Sequence, residues 1–406
     1  MKIKITMRNI ATWLIILISI LPEYFRFGRQ PVYQYMALLL LIITINRRIL
    51  SKPDEQILIK VVLTTAIILF FPRLLHGDIM PIISSAIIPL SLFISVFLYL
   101  RTEEDVQDLI TVFIKVGIVM SIFALIEFIW GYNVFSLIEN VDLGGIDIGT
   151  AANFRNERIR VETSFGTAIA CGIYMCAINT LCLYRLTDGD KGKVLYWSGY
   201  LLSAIAVYLT QARMPLLTLI LVHVIYSFRF KTKAKLVIFS IVPLIFILDS
   251  LTSKVILEMV FQYVDLIKGV LTKDTNSLDV SSAFRTLLLE TLAPIILESP
   301  LIGHGQSFMD NFTFRVWRFD YVSVDNNYLG MLLRYGIIGL IAQLFPFIYS
   351  MKLMLKVKLK ELCFPLFLIF VLYLINLMSV AQMSEGRFMY LLIPIVLREY
   401  LNIKNR

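Results

Sequence analysis

The chain has 406 residues, 58% hydrophobic and 17% charged, with a formal charge of +9 and a mean hydropathy of +0.79. This apolar share far exceeds that of a soluble domain, which excludes a water-soluble globule and predicts a polytopic membrane protein. The basic balance does not point to nucleic acid, because its distribution along the chain follows the sides of a membrane.

A helix needs about 17 to 25 apolar residues to cross hydrocarbon. Candidate runs lie near Ile10 to Phe25, Val32 to Asn46, Ile57 to Phe71, Ile79 to Leu100, Leu109 to Trp130 and Ser164 to Tyr184. Six more lie near Val194 to Thr210, Met214 to Phe228, Leu236 to Leu248, Tyr328 to Tyr349, Leu362 to Val380 and Phe388 to Leu401. The expected fold is therefore all-α, a single transmembrane domain over 1–406 with about 12 spans. The N-terminal "MKIKITMRNIATWLIILISILPEYF" has the basic and apolar regions of a signal peptide but no small-x-small cleavage site, and reads as an uncleaved first span. Cys171, Cys176, Cys182 and Cys363 fall within predicted spans at spacings that suggest neither a disulfide framework nor zinc, so packing is their expected role.

With both termini cytoplasmic, the inner segments carry 21 basic and 10 acidic residues and the outer segments 14 basic and 18 acidic. That asymmetry satisfies the positive-inside rule. Two connections are long, 131–162 and 249–327, and both fall outside. In the second, "KVILEMVFQYVDLIKG" and "SSAFRTLLLETLAPIILESP" have apolar residues at three- and four-residue spacing, which predicts amphipathic helices on or near the membrane. Pro294 should bend the second helix and Pro300 end it.

Eleven of the fourteen outer basic residues are arginine: Arg26, Arg29, Arg73, Arg155, Arg158, Arg160, Arg213, Arg285, Arg315, Arg318 and Arg387. A guanidinium grips phosphate or carboxylate through a planar fork of donors, so the bias suggests an anionic ligand. Pairing with outer carboxylates is the plainer alternative for any one of them. Arg213, in "VYLTQARMPLL", sits in a tight connection between two apolar runs. An ionisable group at that depth is a functional candidate, against the alternative of snorkelling to lipid phosphates.

The stretch "FMDNFTFRVWRFDYVSVDNNYL" interleaves Phe308, Phe312, Phe314, Trp317, Phe319 and Tyr321 with Arg315 and Arg318. Two readings stay open for it, a platform for sugar rings or an interfacial aromatic belt. His304, in "GHG", is the histidine placed to act as a general base; His76 is a lone loop residue and His223 a core candidate. Among ionisable residues nearer mid-membrane depth are Lys60, Lys115, Glu127 and Arg334. A transporter or flippase of lipid-linked sugars would want such residues along its path, but the unusual residues concentrate on one face.

"SPLIGHGQSF" followed by "DNNYLGMLLRYGIIGL" resembles the motif region of the O-antigen polymerase and O-antigen ligase superfamily. "LTQARMPLL" is similar to its Ser-Arg-Gly segment, with Arg213 on the arginine and Ala212 and Met214 departing from the flanking residues. "RVETSFGTAIACG" resembles the segment that places Arg160 on another arginine, and Arg285 precedes the "PLIGHG" turn as an arginine often does in such proteins. The resemblance runs from Arg160 to Leu340.

It implies glycosyl transfer on the outer face of the bacterial inner membrane, from a glycan on undecaprenyl pyrophosphate, with no metal or other cofactor. Arg160, Arg213 and Arg285 would converge on the leaving pyrophosphate, where preorganised donors stabilise developing charge. Arg158, Arg315, Arg318 and Trp317 would help to bind substrate. Asp325 stands where ligases of the superfamily carry a histidine, which favours a polymerase, and it would orient or deprotonate an acceptor hydroxyl. Asn326 and Tyr328 keep their places in the motif, either for substrate or to cap the next helix. The implied partners are lipid-linked oligosaccharides, membrane lipids, and a chain-length regulator and flippase of the same pathway. A ligase that transfers finished glycan to a lipid or protein acceptor is the alternative within the superfamily.

Overall fold

The structure, a computed structural model, describes residues 6–27, 30–45, 53–77, 87–139, 154–155, 158–187, 193–229, 280–316, 319–321, 324, 326–378 and 385–405. It is mostly helical, and eleven of the twelve apolar runs fall on helices. The remaining run, Leu236 to Leu248, lies outside the described residues, as does "KVILEMVFQYVDLIKG". Three helices are long and apolar enough to cross a membrane, Glu103–Trp130, Ala168–Thr187 and Asn327–Lys356, and shorter apolar helices surround them. This is an all-α membrane protein.

Helix α1 (Met7–Ile20) starts at Thr6, whose side chain accepts the Asn9 N–H at 3.2 Å. The apolar run continues to Phe25 but the helix does not, because Pro22 holds Leu21 extended. Strands β1 (Arg26–Phe27) and β2 (Gln30–Pro31) then pair and lead into α2 (Val32–Ile45). Two further helices follow, α3 (Pro53–Leu75) and α4 (Ile88–Tyr99).

Helix α5 (Glu103–Trp130) begins with a capping box between Thr102 and Asp105 and ends at Gly131, which adopts a left-handed φ of 71°. Arg8 of α1 meets Asp105 at 2.6 Å. After the short α6 (Ser136–Glu139) come β3 (Phe154–Arg155) and β4 (Arg158–Ile159), which pair, then a 3-10 turn at Thr163–Phe165. Next are α7 (Ala168–Thr187), α8 (Lys193–Leu209) and α9 (Arg213–Arg229). Helix α7 is buried almost throughout, the centre of the bundle. Its Tyr174 ring meets Phe388, which in turn meets Phe113 of α5, with centroids 4.8 and 5.1 Å apart. All four cysteines are buried and free, as packing residues are.

The rest comprises α10 (Val280–Glu298), α11 (Gln306–Asp310), the pair β5 (Phe314–Val316) and β6 (Phe319–Tyr321), α12 (Asn327–Lys356), α13 (Cys363–Asn376) and α14 (Glu385–Asn405). Pro294 lies inside α10, and the helix stops before Pro300. Leu288 and Leu292 pack with Met309, Leu329 and Leu333 in a second core against α12.

Helix α12 is broken at Gly336, with φ 62° and ψ −162°, a region open essentially to glycine. The turn after α10 fills the break. Ile337 and Ile338 donate to the carbonyls of Pro300 and Leu301 at 2.9 and 3.2 Å, while His304 and Gly305 donate to those of Leu333 and Arg334, both at 2.8 Å. A Cβ on Gly336 would run into the Leu301 carbonyl, and one on Gly303 into the backbone of Arg334 and Tyr335. Just past the end of α3, His76 Nε2 donates to the Ile302 carbonyl at 3.0 Å, and buried Arg73 of α3 stacks on Tyr335 at 4.2 Å.

Gly336→Ala should destabilise the protein by at least about 1–3 kcal/mol, seen as a lower melting temperature in detergent. Gly330→Ala, in the same helix with open space around the added carbon, should instead be neutral or stabilising by roughly 0.5–1 kcal/mol.

Candidate functional site

The connection between α8 and α9 is three residues long, Thr210 to Ala212, and Gln211 in it has a left-handed φ of 49°. Arg213 is the first residue of α9, so its guanidinium starts at a helix N-terminus, the end that favours anions. The segment after β4 lies against this connection. Val161 N–H donates to the Leu209 carbonyl at 3.4 Å, Gln211 Nε2 donates to the Ile159 carbonyl at 3.4 Å, and Arg160 Nε donates to the Thr210 carbonyl at 3.4 Å. Arg160 and Arg213, both expected at the site, are thus brought to one junction.

Arg160 is half-buried, and burial pulls the pKa of its guanidinium down while the neighbouring Glu162 carboxylate acts in the opposite direction. Among the described residues its hydrogen bond is the one to Thr210. Its terminal NH₂ groups have no hydrogen bond among the described residues, and an anion placed there would offset the desolvation of the cation.

Helix α13 ties the other motif to the same end of the bundle. Asn376 Nδ2 lies 3.5 Å from Thr218 Oγ1 of α9, the Leu377 carbonyl accepts the Asn327 N–H at 3.0 Å, and the Leu374 carbonyl accepts Tyr328 OH at 2.6 Å. Asn326 caps α12, its side-chain oxygen accepting the Leu329 N–H at 3.1 Å. Of the two roles open to Asn326 and Tyr328, these contacts are structural ones. Asp325, one residue before the cap, lies outside the described residues, as do Trp317 and Arg318.

His304 belongs to the turn. Its Nε2 donates to the Ile295 carbonyl at 2.9 Å and its ring stacks on Phe308 at 4.6 Å, which leaves Nδ1 as the nitrogen for any proton transfer. Arg285 lies in α10, Arg158 in β4 opposite Arg155, and Arg315 in β5 opposite Asp320. Two other arginines serve the fold. Arg73 is taken by Tyr335, and Arg387 donates to the Leu21 carbonyl at the end of α1 at 2.6 Å and lies over Tyr33 at 4.2 Å. Among the described residues no cluster of metal-ligating side chains occurs.

Residues 198–344 match the family described as O-antigen ligase, Wzy_C. The match supports membership of the O-antigen polymerase and ligase superfamily. It does not separate polymerases from ligases. It takes in Arg213, Arg285, His304, Arg315, Asp325, Asn326 and Tyr328, while Arg158 and Arg160 precede it. No curated protein matches the chain.

One residue of this junction, Glu127, was not legible as part of it. Its carboxylate binds the backbone of the Arg160 segment, and the signal in the sequence was a lone acid near the end of the apolar run Leu109 to Trp130.

Asn326→Ala should lower stability by about 1 kcal/mol, read from thermal unfolding in detergent. Asn326→Asp, which keeps an acceptor for the Leu329 N–H, should recover most of it.

Proposed function

We propose that this chain is a polysaccharide repeat-unit polymerase of the bacterial inner membrane, a metal-independent glycosyltransferase with about twelve spans and both termini in the cytoplasm. It moves a growing glycan from undecaprenyl pyrophosphate to an incoming lipid-linked repeat unit on the outer face. The observation that carries the reading is the docking of the Arg160 segment on the connection that bears Arg213, with Arg160's terminal NH₂ groups uncommitted among the described residues.

In this reading the acceptor hydroxyl attacks the anomeric carbon of the donor, and the bond to the pyrophosphate oxygen breaks. Charge then develops on the leaving group. Arg160, Arg213 and Arg285 hold that charge through preorganised N–H donors, which need no reorganisation at the moment of reaction. Asp325 takes the proton of the attacking hydroxyl or orients it. Arg158, Arg315, Arg318, Trp317 and the motif region around them bind the oligosaccharide, and Asn326 and Tyr328 shape the start of α12 beside Asp325. His304 serves mainly to hold the turn. The outer segments 131–162 and 249–327 build the substrate side, and a flippase and a chain-length regulator of the same pathway supply and limit the chain.

A ligase is the second reading, favoured by the description of the matched family. Deletion of the gene separates the two. Loss of a polymerase leaves a single repeat unit on the final acceptor, whereas loss of a ligase strands polymer on the carrier lipid.

Arg213→Lys and Arg160→Lys should each lower polymer formation by about 100-fold, the scale of a lost transition-state donor, with membrane insertion intact, because a point charge does not reproduce the fork. Polymer length and yield are read on gels of surface polysaccharide. Full-length product from both variants would overturn the assignment.

A further inference from the structure

Beyond Leu109, the charged residues of helix α5 are Lys115 and one acid, Glu127, which is buried near the helix end. A buried carboxylate persists only where donors replace its water. Here Oε1 accepts the Glu162 N–H at 3.0 Å and Oε2 accepts the Thr163 N–H at 2.8 Å. Two oxygens on two successive amides hold a backbone, whatever side chains it bears.

The held backbone is a strained one. Thr163 has a φ of 49°, the left-handed region that β-branched residues avoid, and such a conformation persists only where its surroundings over-determine it. The end of α5 supplies those surroundings from both sides. Past Gly131 the chain turns back, and Asn133 Nδ2 donates to the Thr163 carbonyl at 2.8 Å while Asn133 Oδ1 accepts the Phe135 N–H at 2.9 Å. Cys171 Sγ of α7 lies 3.5 Å from Thr163 Oγ1.

Arg160 stands just ahead of this clamp. The intervening Val161 is buried and donates its N–H to Leu209, so the arginine hangs on a short rigid piece fixed at one side by α5 and at the other by the α8–α9 connection. We propose that Glu127 is a positioning residue for Arg160: its carboxylate clamps the Glu162 and Thr163 amides so that the guanidinium is held at the junction that bears Arg213. The function of the clamp rests on the reading of Arg160 as a pyrophosphate ligand; the clamp itself does not.

The test uses the purified full-length protein in detergent. Glu127→Gln sets an NH₂ against one of the two N–H donors, whereas Glu127→Asp keeps both acceptor oxygens on a shorter arm. Hydrogen exchange at the Glu162 and Thr163 amides should quicken by about 10-fold or more in Glu127→Gln and by less in Glu127→Asp, with α7 still protected. Affinity for undecaprenyl pyrophosphate should fall about 10-fold in Glu127→Gln, the scale on which loss of an orienting partner weakens a binding group, and recover in part in Glu127→Asp. Because Glu127 acts through Arg160, the pair Glu127→Gln with Arg160→Ala should bind no more weakly than Arg160→Ala alone.

Unchanged exchange in Glu127→Gln, or losses that add in the double variant, would overturn the proposal. Faster exchange together with normal undecaprenyl pyrophosphate binding by Arg160→Ala would leave the clamp standing and remove the pyrophosphate reading. Should Glu127→Gln fail to fold, Glu127→Asp carries the same comparison with a smaller effect.

Discussion

A helix broken inside a protein leaves backbone N–H and C=O groups that must find partners away from water, and the break in α12 at Gly336 is the constraint on which this end of the molecule depends. Its partners are the carbonyls and amides of the Pro300 to Gly305 turn. Two pieces of backbone interlock so closely that side chains at Gly303 and Gly336 have no room. Because the turn is anchored, α10 is anchored with it, and its apolar face closes on α12. The start of α12 is fixed in turn by the Asn326 cap and by α13. Arg285 and the residues flanking Asp325 therefore hang from one rigid assembly.

The arginines divide according to what surrounds the guanidinium. Arg73 and Arg387 have their charge covered by aromatic faces, and Arg387 also meets the orphan carbonyl that ends α1. Such contacts close a helix end and stack a flat cation, and they ask nothing of a ligand. Arg160 differs, being half-buried with a single backbone carbonyl on Nε among the described residues. The proposed function gives that guanidinium an anion to complete its set of acceptors, and its neighbour Arg213 begins a helix whose N-terminal dipole favours the same charge.

Hydropathy located the helices because burial and membrane insertion both select apolar side chains, and eleven of twelve runs carry a helix among the described residues. Helix ends were less legible. Pro22 stops α1 before its apolar run ends, since backbone geometry overrides hydropathy there. The "PLIGHG" and "RYGIIGL" motifs were visible as patterns, but nothing in their spacing said that one plugs a gap in the other, which is a long-range backbone contact. Capping was one of the two roles the sequence left open for Asn326, because capping is local. Glu127 was not legible as a clamp, because its partners are peptide amides 35 and 36 residues away, and peptide amides carry no residue-type signature.

Helices α8 and α9 are each 17 residues long. At 1.5 Å per residue each reaches about 26 Å, less than the roughly 30 Å of a hydrocarbon core. If both cross the membrane, as the proposed topology has it, a pair that short would thin the bilayer around it or sink its connection beneath the surface. In the proposed reaction the Thr210 to Arg213 junction would then lie toward the depth of lipid phosphates, where a headgroup borne on a long polyprenyl tail would meet it without lifting the tail out of the hydrocarbon. Under that proposal, bilayer thickness would become a variable of the reaction.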